Sequence, residues 1–300
     1  MIMKRKFIDF DFDSIKRTSW PVVALAAIVD AIVLVVAMHV VLPWMRSSFP
    51  LETLTNGLIQ ATLVFSLARF VLAAVGVALW IGGLRAADIG LRWEKLRDGS
   101  LMVLGVWIAM QLVGALIGLA ATGSIGISPY WTPDRLLPIA GEVLAQFLGN
   151  AFAEEVIFRG FLLTQVTLLL RSVISKRGRR LTVSVLLSQL IFSLSHIPER
   201  MASGYTPLQM VLNLAVTWVW GMLFAVLYLR SDNLFVVIGV HALVNAPVTL
   251  LAVPSQGLAG LLPLVLSLVL IVIWGPGERW LQRLQAPTPS DRMETQDHAS

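Results

Sequence analysis

The chain has 300 residues, 57% of them hydrophobic and 14% charged, with a net charge of +5 and a mean hydropathy of +0.79. A soluble domain carries roughly 45–50% and 25% of these two classes, and one soluble core cannot hide this much apolar surface, so lipid is the expected solvent. Cysteine is absent, which excludes disulfides, thiolate ligands and a cysteine nucleophile; the cations lie between apolar blocks, where they set topology and meet headgroups rather than nucleic acid.

The sequence predicts an all-α, polytopic integral membrane bundle of about eight transmembrane helices, at about 20–44, 58–84, 100–122, 136–158, 181–197, 208–229, 233–253 and 257–275. Each block approaches the ~20 residues that cross a bilayer, and backbone groups in lipid must find partners within their own helix. Residues 1–19 are basic, with Lys4, Arg5, Lys6, Lys16 and Arg17, but the block from Trp20 to Trp44 exceeds a signal-peptide core and reads as a retained span. The fifth block has about 17 residues, near the lower limit for spanning. The fourth continues apolar past Arg159 to Leu170, so its helix either breaks at Gly160 or continues as an amphipathic segment lying along the cytoplasmic face.

Linkers after the odd-numbered blocks are poor in cations, with Arg46, Arg135 and Arg200. Those after the even-numbered blocks are rich, with Arg85, Arg92, Lys95 and Arg97, then Arg171, Lys176, Arg177, Arg179 and Arg180, then Arg279 and Arg283. This alternation predicts both termini in the cytoplasm, and the retained first span fits a bacterial inner-membrane protein. The tail 286–300 contains Pro287 and Pro289, lacks apolar periodicity and is expected to be disordered. One membrane domain over 20–285 is the simplest partition.

Ionisable side chains at membrane depth cost roughly 2.5–3.5 kcal/mol each on insertion scales. The expected set is Asp30, His39, Arg69, Glu142, Glu154, Glu155, Arg159, His196 and His241, joined by the amides Asn150, Asn213 and Asn245. Glu155 and Arg159 stand four apart on one helical face and can pair. Glu154, rotated about 100° from its neighbour, has no local cation, so another helix must manage its charge. Phe192 and His196 are four apart, so the ring can shield the imidazole; His241 and Asn245 are also four apart and project together. If these helices converge, Glu154 and His196 can polarise a water, while His241 and Asn245 donate to a developing oxyanion. The same atoms of Glu154, His196 and His241 also make up a two-histidine, one-carboxylate zinc set, although the soluble His-Glu-x-x-His arrangement is missing. Asp30, His39 and Arg69 read instead as interhelical pairing, Asp30 with Arg69, and so do Glu142 and Asn150.

Glu154-Glu155-x-x-x-Arg159, Phe192-x-x-x-His196 and His241-x-x-x-Asn245 together resemble the three-motif pattern of the CAAX protease and bacteriocin-processing (CPBP) family of intramembrane proteases. The resemblance covers a protease-like core at about 136–250, including Trp220-Gly221-x-x-x-Ala225-x-x-Tyr228. It implies an eight-helix protease hydrolysing peptide bonds near the cytoplasmic leaflet, with Glu154 and His196 activating water. It further implies that His241 and Asn245 form the oxyanion site and that Glu155 with Arg159 is a structural pair holding the catalytic helix. The expected partners are a membrane-associated peptide or protein substrate and the bilayer; no metal is expected, zinc being the rival. Eukaryotic relatives trim prenylated CAAX proteins, a specificity that does not carry over to bacterial relatives acting in immunity, secretion or signalling. The competing classes are a non-catalytic scaffold or bacteriocin-immunity factor and a proton-coupled transporter, against which the absence of paired repeats speaks.

Overall fold

The computed structural model describes residues 10–253, 261–263, 265–266 and 268–269. Lys4, Arg5 and Lys6, much of the block 257–275, Arg279, Arg283 and the tail 286–300 lie outside the described residues. Within them, six helices are long and apolar enough to cross a membrane: α1 (Trp20–Ser48), α2 (Ala61–Ile81), α3 (Trp93–Thr122), α4 (Pro133–Ser172), α5 (Arg177–Ala202) and α6 (Pro207–Ser231). A shorter apolar helix, α7 (Leu234–Asn245), follows. The only β contact among the described residues is an isolated antiparallel bridge between Ile127 and Leu251.

The helices run up and down, and their linkers gather at two ends. Before α1, Lys16 donates its backbone N–H to Asp88 at 3.0 Å and its Nζ to the Gly83 carbonyl at 2.6 Å, beyond α2. At the same end, Arg92 and Lys95 at the start of α3 hold Asp232 between α6 and α7. Arg177 at the start of α5 donates to the Phe10 carbonyl at 2.9 Å. At the opposite end, Gly57 packs on Pro138 near the start of α4, and Arg200 Nε donates to Asn213 Oδ1 at 2.7 Å between α5 and α6.

Two helices differ from their expected extent. The fourth does not break at Gly160: α4 continues for 40 residues to Ser172, widening to i→i+5 bonding over Glu155–Leu163. Gly160 serves contact rather than termination, because a Cβ there would collide with the Ile89 carbonyl of the linker turn beneath. The seventh block, expected to span over 233–253, is helical only to Asn245. Asn233 starts it, its Oδ1 accepting from the Phe235 N–H at 3.0 Å, and Pro247 ends it by disfavouring helical geometry at the preceding residue. Its 12 residues reach about 18 Å, too short to cross a bilayer, and every residue from Leu234 to Leu243 is buried. The irregular chain after it is fixed inside protein: Trp107 Nε1 and Gln111 Nε2 donate to the Val248 carbonyl at 2.9 and 3.1 Å, and the Leu250 N–H donates to Gln111 Oε1 at 2.7 Å. Non-helical backbone at this depth is tolerable under such cover. The fifth block starts earlier than it reads, at Arg177, and α5 reaches Ala202 with an interruption after Leu194.

Candidate active site

Three helices bring their polar residues to one point, and two more complete it. Glu155 and Arg159, both fully buried, pair at 2.9 Å through Arg159 NH1, as their four-residue spacing predicts. Glu155 Oε1 also takes His241 Nδ1 at 2.7 Å, so the carboxylate links α4 to α7 as well as bracing its own helix. Glu154 receives its cation from α2: Arg69 NH1 donates to Oε1 at 3.1 Å. The same guanidinium grips Asp30 of α1 through Nε at 2.8 Å and NH2 at 3.3 Å. The expected pairing of Asp30 with Arg69 is thus present, and it reaches one residue further, to Glu154. Of the remaining intramembrane polar residues, Glu142 accepts from the Tyr130 hydroxyl at 2.9 Å. His39 lies exposed on α1, which corrects its expected interhelical pairing.

His196 owes its position to an interruption in α5. The regular helix stops at Leu194 and a short helix starts at Ile197 with Pro198 in its first turn, where the missing N–H costs nothing. The His196 N–H bonds back to the Ser193 carbonyl at 3.1 Å. The Phe192 carbonyl accepts side chains instead: Ser195 Oγ at 2.7 Å and His196 Nδ1 at 2.9 Å. A carbonyl oxygen only accepts, so Nδ1 carries the proton and a neutral ring presents a bare Nε2. The Phe192 ring meets the imidazole edge to face at 4.9 Å between centroids, while the Arg159 guanidinium lies 4.1 Å from the centre of that ring. Gly221, whose carbonyl accepts from Arg159 NH2 at 3.4 Å, leaves room for Phe192, since a Cβ there would crowd the ring.

His196 Nε2 stands 3.9 Å from Glu154 Oε1, and His241 Nε2 stands 3.8 Å from Glu154 Oε2. These gaps exceed a direct hydrogen bond, and a single water can touch the carboxylate and an imidazole across such a gap. His241 is stacked on Phe224 at 4.6 Å and fixed through Nδ1, so both imidazoles are held by their far nitrogen. A cavity of about 710 Å³ has Glu154, His196, His241, Arg69 and Asn245 in its wall. Asn245 sits at the exposed rim, its Nδ2 donating to Gln146 Oε1 at 2.9 Å. Among the described residues, no group of three His, Asp or Glu stands in metal-holding geometry.

Arg69, Gln146 and Phe224 are contacts that sequence reasoning did not assign to the cluster. Arg69 carried a signal, the cost of a cation at membrane depth, but that cost indicates only that a partner exists. Gln146 and Phe224 carried none, because neither shares a helical face with a motif residue in a way that spacing reveals.

No curated protein and no solved structure matches the chain. Residues 136–247 match the family model described as type II CAAX prenyl endopeptidase Rce1-like. The matched stretch holds Glu154, Glu155, Arg159, Phe192, His196, His241 and Asn245, and ends two residues short of Thr249. The stretch that carries the motif residues of the cluster is therefore similar to the Rce1-like CAAX prenyl endopeptidase family, while Asp30 and Arg69 lie outside the match.

Proposed function

We propose that this protein is an intramembrane endopeptidase of the inner membrane that hydrolyses a peptide bond of a membrane-associated substrate with a water held by Glu154 and His196. The observation that carries this reading is the placing of one buried carboxylate within 4 Å of two oriented imidazoles in the wall of a cavity. In the proposed step the water oxygen attacks the scissile carbonyl carbon while its proton passes to Glu154, with the bare Nε2 of His196 accepting the second hydrogen bond. The proton then goes to the leaving amine.

Stabilising the oxyanion falls to His241 and Asn245. Because His241 already donates Nδ1–H to Glu155, it can donate from Nε2 only as the doubly protonated imidazolium. Asn245 keeps one N–H for substrate beyond its bond to Gln146. We assign the reaction to these residues without metal, since Arg69 supplies a positive charge at Glu154.

Comparing membrane peptides from cells carrying the wild-type and Glu154→Ala chains tests the proposal. Peptides that accumulate uncut only with Glu154→Ala are expected; identical peptide profiles would remove the enzymatic reading. Purified protein that keeps full activity after exhaustive chelation is expected, and activity restored only by added zinc would return the metal mechanism.

A further inference from the structure

The cavity opens at one end of the bundle only. Its mouth is made by Arg46 near the end of α1, Thr62 at the start of α2, Arg200 and Ser203 at the end of α5, Asn213 in α6 and Asn245 at the end of α7. Beyond Glu154, towards the other end, α4 is buried without a gap from Glu155 to Leu169, and the cavity wall includes no residue of that end's linkers. Water and substrate therefore reach Glu154 from the side of Arg46 and Arg200.

The two ends differ sharply in charge. Around the mouth the linkers carry Arg46, Arg135 and Arg200, set against Glu52, Asp134 and Glu199. The closed end carries Arg171, Lys176, Arg177, Arg179 and Arg180 in and around the α4–α5 linker alone, and Arg92 and Lys95 at the start of α3. Lys and Arg in short linkers stay cytoplasmic, whereas acidic residues have little influence on orientation. The pairing of Arg92 and Lys95 with Asp232 therefore does not weaken the asymmetry.

We propose that the cavity opens to the extracytoplasmic face, and that its substrate is a peptide segment presented from that side rather than a cytosolic lipidated tail. The substrate half rests on the hydrolysis proposed above; the orientation stands independently of it. This reverses the cytoplasmic-leaflet position that the family resemblance implies. The reversal follows from the sequence order, because α5 enters at its cationic start and His196 lies near its far end.

The chain's lack of cysteine makes the test free of background. Ser203→Cys and Ser47→Cys place single thiols at exposed positions of the mouth's end, and Ser175→Cys places one in the exposed α4–α5 linker. Full-length variants in intact cells are treated with a membrane-impermeant maleimide, before and after permeabilisation. Labelling of Ser203→Cys and Ser47→Cys in intact cells, with Ser175→Cys labelled only after permeabilisation, is the expected result. The opposite pattern, or equal labelling of both ends in intact cells, overturns the proposal. Labelling needs no catalysis, so this outcome is separate from that of the cleavage experiment.

Discussion

Arg69 reaches Glu154 from α2 while Asp30 fixes the guanidinium from behind. Removing one partner of a buried ion pair leaves the other charge uncompensated and costs about 3–5 kcal/mol. Arg69→Ala, which strands two carboxylates, is expected to lower the thermal midpoint of the purified protein strongly. Asp30→Asn keeps the shape of the site and loosens only the guanidinium, so turnover should fall while the protein stays folded; unchanged kcat would separate Asp30 from the site. At this scale the i,i+4 pairs were legible, because Glu155 with Arg159 and Phe192 with His196 follow from helical geometry alone. The bonds from Arg69 to Glu154 and from His241 to Glu155 join residues 85 and 86 apart. The relative depth of separate helices sets them, and no periodicity encodes that.

The break in α5 is what aims His196. Pro198 has no N–H to bond the Leu194 carbonyl four residues back, and the His196 N–H bonds Ser193 instead, which leaves the Phe192 carbonyl to the imidazole. Pro198→Ala supplies an N–H for the Leu194 carbonyl and permits α5 to run on, drawing the His196 N–H back to the Phe192 carbonyl, which turns the ring. A misplacement of about 1 Å in a reacting group can cost about 10²-fold, so turnover should fall by that order with the fold retained. Circular dichroism and a turnover assay together check this. Hydropathy found the long helices because lipid demands long apolar runs. It overstated the seventh, since 233–253 is apolar throughout while Pro247 and the carbonyl-binding Trp107 and Gln111 hold its second half irregular. Composition does not distinguish a helix buried among its neighbours from one that faces lipid.

Across the whole molecule, the closed end is tied by Asp88, which accepts from the N–H groups of Lys16 and Arg85 at 3.0 and 2.8 Å. Burial pushes its carboxyl up, but the Arg85 guanidinium and the two backbone donors outweigh that and hold it below the usual carboxylate range. A depressed carboxyl stabilises the fold above its unfolded value of 3.8, and this contribution disappears as pH falls through the lower folded value. Thermal midpoints measured from pH 6 down to about pH 2 should therefore fall less steeply in Asp88→Asn than in the wild type; parallel curves would contradict this.

Charge alternation in the sequence predicted which linkers share an end, and the fold agrees for every linker it describes. The end on which the cavity opens was legible only at His196, which closes the fifth block far from its cationic start; how deep Glu154 and His241 lie along their helices was not. The central claim is that Glu154 and His196 activate one water for peptide hydrolysis. Turnover of a cleaved membrane peptide by purified protein in liposomes, for the wild type, Glu154→Gln and His196→Ala, tests it most directly. Each substitution should lower kcat by about 10²–10⁴-fold with the fold intact; full turnover by either variant would contradict the mechanism.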